Sequence, residues 1–222
     1  VKSLRLLMSI DPAYIKVASG DMNNFELISH YAACSRKLII STGMSTLYDV
    51  ETLVNYLKKI RFDDYVLMHC IAIYPHEEID SQLGYIRTLM NRFDCEVGFS
   101  DHTLGVAAAA AAIAMGVKYI EKHYTIDREL GGLDAKHSLE RSELKNYVNT
   151  LRAIDSSLSV NERSISERER YTRKRARRGI YAAKKLKKNQ ILKSDDIVCL
   201  RPETEMPANL FLSLVGEKIC QD

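Results

Sequence analysis

Five short apolar runs, each closing on polar side chains able to do chemistry, recur through the first half of the chain. They end near Lys16, Ser41, His69, Ser100 and Glu121, so successive exits are 25, 28, 31 and 21 residues apart. That interval holds a strand, a helix and their loops, which is the length of a βα unit; a hairpin would return within a few residues. The runs (Tyr14 to Ala18, Leu38 to Ile40, Tyr65 to Met68, Cys95 to Phe99, Val117 to Ile120) are mostly apolar without strict alternation. Parallel strands covered by helices on both faces read this way. Helices are predicted between them over about Asn24–Ala33, Leu47–Ile60, Gln82–Phe93 and Leu104–Met115, with others at Leu4–Met8 and Ser142–Ile154. The fold class is α/β, and its functional rim is the C-terminal end of the strands.

Spacing alone leaves a barrel and an open doubly wound sheet both standing. No Gly-x-Gly-x-x-Gly follows a strand and no Gly-x-x-x-x-Gly-Lys-Ser/Thr occurs, so dinucleotide and P-loop sites are disfavoured. Every exit instead carries a useful side chain: Lys16 and Asp21, Ser41 and Thr42, His69, Asp101 and His102, Glu121 and His123. Groups spread over several strands are how a barrel builds a site. The densest pair is Ser100-Asp101-His102 and Glu121-Lys122-His123, joined by an alanine-rich stretch from Ala107 to Ala114 whose small side chains let a helix lie close to the sheet. Both imidazoles then reach one rim, flanked by Asp101 and Glu121, where they could hold a metal ion. Lys16 inside an apolar strand calls for an anionic partner. His69 reads as a packed or hydrogen-bonded ring, His30 as helical, and His76 and His137 as loop residues, with at most a substrate contact for His137. Asp134, after Gly131-Gly132-Leu133, either caps its loop or contacts a ligand.

The 46% hydrophobic and 27% charged composition is that of a globular chain, and no run of apolar residues is long enough to span a membrane. Five widely spaced cysteines without a Cys-x-x-Cys pair read as reduced cytoplasmic thiols. Net charge is +3, yet Arg168 to Lys188 alone holds eleven Lys or Arg against one acid. That block reads as a solvated linker and edge strand, the stretch from Asn161 to Arg178 being a flexible or weakly helical linker into a small domain. As a nucleic-acid site it lacks interleaved aromatics and any recognised motif. Division falls at residues 1–156, a linker over 157–178, and a small domain over 179–222 with strands near Ile180–Ala183 and Ile197–Leu200.

Several stretches in order resemble the sialic acid synthase family, whose members make N-acetylneuraminate, legionaminate, pseudaminate and spore-coat sugars. They are Lys16-Val17-Ala18-Ser19-Gly20-Asp21, Ser41-Thr42-Gly43-Met44, His69-Cys70 with Tyr74-Pro75, Gly98-Phe99-Ser100-Asp101-His102-Thr103, Glu121-Lys122-His123-Tyr124-Thr125 and Leu139-Glu140; Ala182-Ala183-Lys184 and Leu200-Arg201-Pro202 match beyond the linker. The resemblance implies a partial (β/α)8 TIM barrel supplying strands four to eight, followed by a truncated antifreeze-like (SAF) domain. It also implies an internal fragment, lacking the family's acidic residue on the first strand and lysine on the second.

The implied activity is condensation of phosphoenolpyruvate with N-acetylmannosamine or a related 2-acetamido sugar, releasing phosphate. The alternative is a non-catalytic remnant or subunit needing a separate half-barrel. By the same resemblance His102 and His123 coordinate Mn2+, Mg2+ or another divalent ion. Lys16 holds the phosphoenolpyruvate carboxylate or phosphate, and Ser100 contacts the phosphate. Glu121 is a general base or sugar-binding carboxylate. Asp21 stands in place of the usual Glu, Tyr74 lines the sugar pocket and Asp134 contacts the sugar. Arg201 reaches the acetamido group across a domain-swapped homodimer. Ile71-Ala72 replaces common hydroxyl or amide donors, and Leu133 a common proline.

Overall fold

The computed structural model describes residues 2–159 and 162–220, which fall into two compact units divided after Ser159. The first unit alternates helix and strand: α1 (Lys2–Met8), β1 (Tyr14–Val17), α2 (Phe25–Ala32), β2 (Lys37–Ser41), α3 (Leu47–Lys59), β3 (Tyr65–Cys70), α4 (Gly84–Arg92), β4 (Glu96–Asp101), α5 (Ala107–Ala114), β5 (Tyr119–Lys122) and α6 (Arg141–Leu158). The strands form one all-parallel sheet in the order β1-β2-β3-β4-β5. The predicted order and type of elements hold; boundaries move by a few residues. Strand β5 moves most, starting at Tyr119 and running through Lys122, so Glu121 lies within the strand and not beyond it.

The side-chain period of two divides each strand between two environments. Ile15, Val17, Leu38, Ile40, Leu67, Val97 and Phe99 point to the helices and form the core. Their neighbours Lys16, Ser41, Ser100 and Glu121 point the other way. Helix α3 shows how the cover is built: Val50, Leu53, Val54 and Leu57 form its buried stripe, and Thr46 and Asp49 make a capping box at its start. Helix α5 buries Ala108, Ala109 and Ala112. It ends at Gly116, whose φ of +101° turns the chain into β5. At Gly98 in β4, a Cβ would meet Met68 Sδ at 2.1 Å and the Tyr119 carbonyl oxygen at 2.9 Å, so only a glycine fits.

The sheet is curled. Strands spaced ~4.8 Å apart would hold β1 and β5 roughly 19 Å from one another in a flat sheet. Yet Lys16 Nζ on β1 lies 3.6 Å from Glu121 Oε2 on β5. Two side chains reach across that gap only if the first and last strands bend toward each other over a concave face, as in a barrel wall.

The second unit has helix α7 (Glu167–Ala176), an antiparallel pair β6 (Gly179–Ala182) and β7 (Ile197–Leu200), and short helix α8 (Phe211–Leu214). The strands match those predicted. The stretch 157–178, expected as a flexible or weakly helical linker, holds the end of α6 and all of α7. Ser166 caps α7, acids Glu167 and Glu169 occupy its first turn and Arg173, Lys174 and Arg175 its last, matching the helix dipole at both ends although no residue is buried. No helix among the described residues is long and apolar enough to cross a membrane.

Candidate metal centre

The concave face and the loops above β3, β4 and β5 bring together most of the residues singled out in the sequence. Alternation along β4 and β5 sets Ser100 beside Glu121, to which it donates a 2.7 Å hydrogen bond. Lys16 donates to Ser41 Oγ at 2.6 Å and to the Val17 carbonyl at 3.1 Å, and faces Glu121. Its ammonium therefore has a carboxylate within the chain, and about a third of the side chain stays open to solvent.

Just above sit the rings. His102 and His123 have centroids 5.3 Å apart, and His123 and His137 5.2 Å. Tyr74 covers them, 4.2 Å from His102 and 5.6 Å from each of the other two. The free lone pair of His102 can be traced. His102 Nδ1 lies 2.7 Å from the Ile71 carbonyl, which only accepts, so Nδ1 carries the proton. Ser100 spends its hydrogen on Glu121, leaving His102 Nε2, 3.3 Å from Ser100 Oγ, with an unused pair. Burial holds the His102 ring below its ordinary pKa, against the opposing hydrogen bond to Ile71. His76 Nδ1 faces the Glu77 carbonyl at 2.9 Å, and its Nε2 is buried without a partner. His137 Nε2 is likewise buried and unpartnered.

Asp134 completes the group. Its Oδ2 lies 3.8 Å from His123 Nδ1 and its Oδ1 3.5 Å from His137 Nε2. His123, Asp134 and His137 each offer a ligand atom, and the three atoms lie within 4.8 Å of one another. Imidazoles beside a carboxylate are a donor set that a divalent transition metal takes.

One expectation changes. Asp101, expected to flank the metal, points to the opposite face because it follows Ser100 by one residue on β4. There it is fully buried and accepts from Thr103 N and Oγ1, Lys122 Nζ and Tyr147 OH. Lys122 also donates to the Thr103 carbonyl. Its own burial pushes the Tyr147 hydroxyl pKa up, and the charge of Asp101 and the hydrogen bond to it act in the same direction. The network fixes the residues immediately before His102 and His123. His69, also on the helix side, packs on Phe99 and makes a 2.7 Å contact with the Ser81 carbonyl through Nε2.

Asp21 ends an exposed turn, Ser19–Asp21, and makes no described contact with the cluster. Arg201 lies in the second unit, exposed, after β7. His137, read from sequence as a loop residue with at most a substrate contact, lies beside His123 and Asp134. Its signal was the Asp134-x-x-His137 spacing, which a tight turn over Ala135–His137 converts into one face.

The NeuB family model matches residues 1–163. The chain is 34% identical over 222 residues to an N,N'-diacetyllegionaminic acid synthase of Legionella pneumophila, covering 98% of this chain and 62% of that one. A solved N-acetylneuraminic acid (sialic acid) synthetase of Leptospira borgpetersenii superposes with a TM-score of 0.69 at 34% identity, over 78% of this chain and 60% of that one. A spore coat polysaccharide biosynthesis protein of Bacillus subtilis superposes at 0.68 and 29% identity, over 100% and 67%. The chain spans 62% to 66% of the length of three curated relatives that it matches. With a matching family model over most of its length and a curled parallel sheet bearing the rim residues in order, the chain belongs to the NeuB family.

Proposed function

We propose that the chain is the strand-four-to-eight part of a sialic-acid-type synthase, with the second unit as the start of an antifreeze-like domain. The reaction is condensation of phosphoenolpyruvate with N-acetylmannosamine or a related 2-acetamido sugar, releasing phosphate. The observation that carries this reading is one concave rim holding a lysine, a carboxylate and a cluster of imidazoles.

Each group has a task its position supports. Lys16 binds an anionic group of phosphoenolpyruvate, carboxylate or phosphate, with Ser100 beside it. Glu121, held by Ser100, takes a proton or a sugar hydroxyl. Tyr74 offers a half-exposed ring against which a sugar can pack, and Asp134 a carboxylate for its hydroxyls. Asp21 adds an acidic group at the exit of β1. His102 and His123 would hold Mn2+ or another divalent ion, which when bound polarises the sugar aldehyde as a Lewis acid. Arg201 is assigned to the acetamido group in a domain-swapped homodimer, and cytoplasmic residence goes with the substrate.

The assay is phosphate release from phosphoenolpyruvate with N-acetylmannosamine and Mn2+, using this chain alone and with the N-terminal third of a NeuB relative supplied in trans. Sugar-dependent release in either mixture, lost on His123→Ala, is expected. No release in either would leave only the reading of a non-catalytic subunit.

A further inference from the structure

Helix α7 carries more positive charge than its neighbours neutralise. We propose that Arg173 and Arg177 on α7, with Arg163 before it, form a binding site on the second unit for a small, multiply charged phosphate of the diphosphate class. The site is separate from the rim of the sheet and does not depend on the reaction assigned there.

Three observations carry it. First, Arg173 and Arg177 stand four residues apart, so one side of the helix presents both guanidinium groups. Both approach one carboxylate: Glu203 Oε2 lies 3.9 Å from Arg173 Nε, and Glu203 Oε1 lies 4.0 Å from Arg177 Nη1. Those separations exceed hydrogen-bond length, so the carboxylate attracts both groups and leaves their N–H donors open. Second, Glu203 is fixed where it stands. Its side chain is 20% exposed, its backbone N–H donates to the Lys174 carbonyl at 3.1 Å, and Tyr181 OH holds the preceding Pro202 carbonyl at 2.9 Å. Arg173 and Arg177 keep 41% and 56% of their side chains open, so an incoming anion reaches them without displacing a packed group. Third, Arg163, Ile165, Glu169, Thr172, Arg173 and Arg177 line one open cavity of about 430 Å3. That volume suits a small molecule, and a wall with one aliphatic side chain and three guanidinium groups against one carboxylate suits an anion.

The donors set the class of anion. A guanidinium fork engages two oxygens side by side, so two forks converging on one ion favour a group with at least three oxygens to share, which a carboxylate lacks. The wider field acts in the same sense, since residues 162–220 hold fifteen Lys or Arg against eight Asp or Glu. A nucleic-acid backbone has the same phosphate chemistry but asks for aromatic rings on which bases stack. Tyr171, the aromatic residue of α7, already has the Arg175 guanidinium 5.6 Å over its ring.

The probe is pyrophosphate, titrated into the full chain by calorimetry at low salt, with circular dichroism to check that each variant keeps its helix content. Binding is expected in the parent and in Lys16→Gln, which removes the anion-holding end of the sheet as its source. Replacing both Arg173→Gln and Arg177→Gln should weaken it about tenfold or more. Replacing both Lys185→Gln and Lys187→Gln, two exposed lysines outside the cavity, removes the same charge and should leave it near the parent value. A parent chain that binds no pyrophosphate overturns the proposal, as does equal loss in the two double variants, which would reduce the effect to net charge. Loss in Lys16→Gln with binding kept in the arginine variant would place the anion at the sheet and overturn it too. Duplex DNA forms the second arm: tighter binding of DNA than of pyrophosphate, weakened alike by both double variants, would make this surface a polyanion track and not a small-molecule site.

Discussion

At the scale of single residues, the buried ion pair between Lys122 and Asp101 is the sharpest test of how the site is held. Lys122 is 4% exposed and Asp101 is 0% exposed. Lys122→Met leaves Asp101 charged and short of one donor, which should cost about 3 to 5 kcal/mol in urea unfolding. The pair was invisible as such in the sequence: Ser-Asp-His and Glu-Lys-His look like three functional residues each. The middle member of each serves the opposite face, because a strand alternates. His69 gives a pH prediction. Burial holds its pKa below the ordinary 6.5, so the folded chain refuses a proton the unfolded chain accepts. Its contribution is therefore present above pH ~6.5 and is lost as pH falls below it. His69→Phe should flatten this acid loss between pH 7.5 and 5.5. At pH 7.5 it should cost about 1 to 3 kcal/mol, because the Ser81 carbonyl loses its donor. An equally steep acid loss in the variant would assign the titration to other groups.

Among the elements, helices α3 and α5 show two kinds of legibility. Helix α3 was readable from its stripe and its Thr-x-x-Asp start, and Thr46→Ala should lower stability by about 0.5 to 2 kcal/mol, measured by urea midpoint. Helix α5 was readable only as a run of small residues; its packing on α6 comes from the tertiary fold. The parallel strands and their alternation with helices followed from the spacing of the exits, whereas the sequential strand order, which distinguishes a barrel wall from a doubly wound sheet, did not. Helix α7 was legible only as a flexible or weakly helical stretch, because its sequence has no apolar stripe. Caps and charge placement at its ends make it a helix, and those signals lie beneath a charge run that reads as solvated chain. The metal group was half legible. His102 and His123 stand at strand ends, whereas His137 depends on a loop turn that no periodicity announces.

For the whole molecule, ligation should distinguish the two units. The described donors of the candidate centre, His123, Asp134 and His137, belong to residues 1–159, so a bound ion should stabilise that unit. At a hundredfold excess over Kd, mass action supplies about 2.7 kcal/mol, roughly 5 to 10 °C for a domain of this size. Calorimetry with Mn2+ and then with a chelator should move one transition and leave any second in place. A uniform shift of both would mean the ion acts elsewhere. The contact between Lys16 and Glu121, which revealed the sheet's curvature, also sets a condition on any guest. An ammonium that already has a resident counter-ion must exchange it when a phosphate or carboxylate arrives. Glu121→Gln should then tighten inorganic phosphate binding at that end of the sheet, and in the parent chain each incoming anion would set the glutamate free.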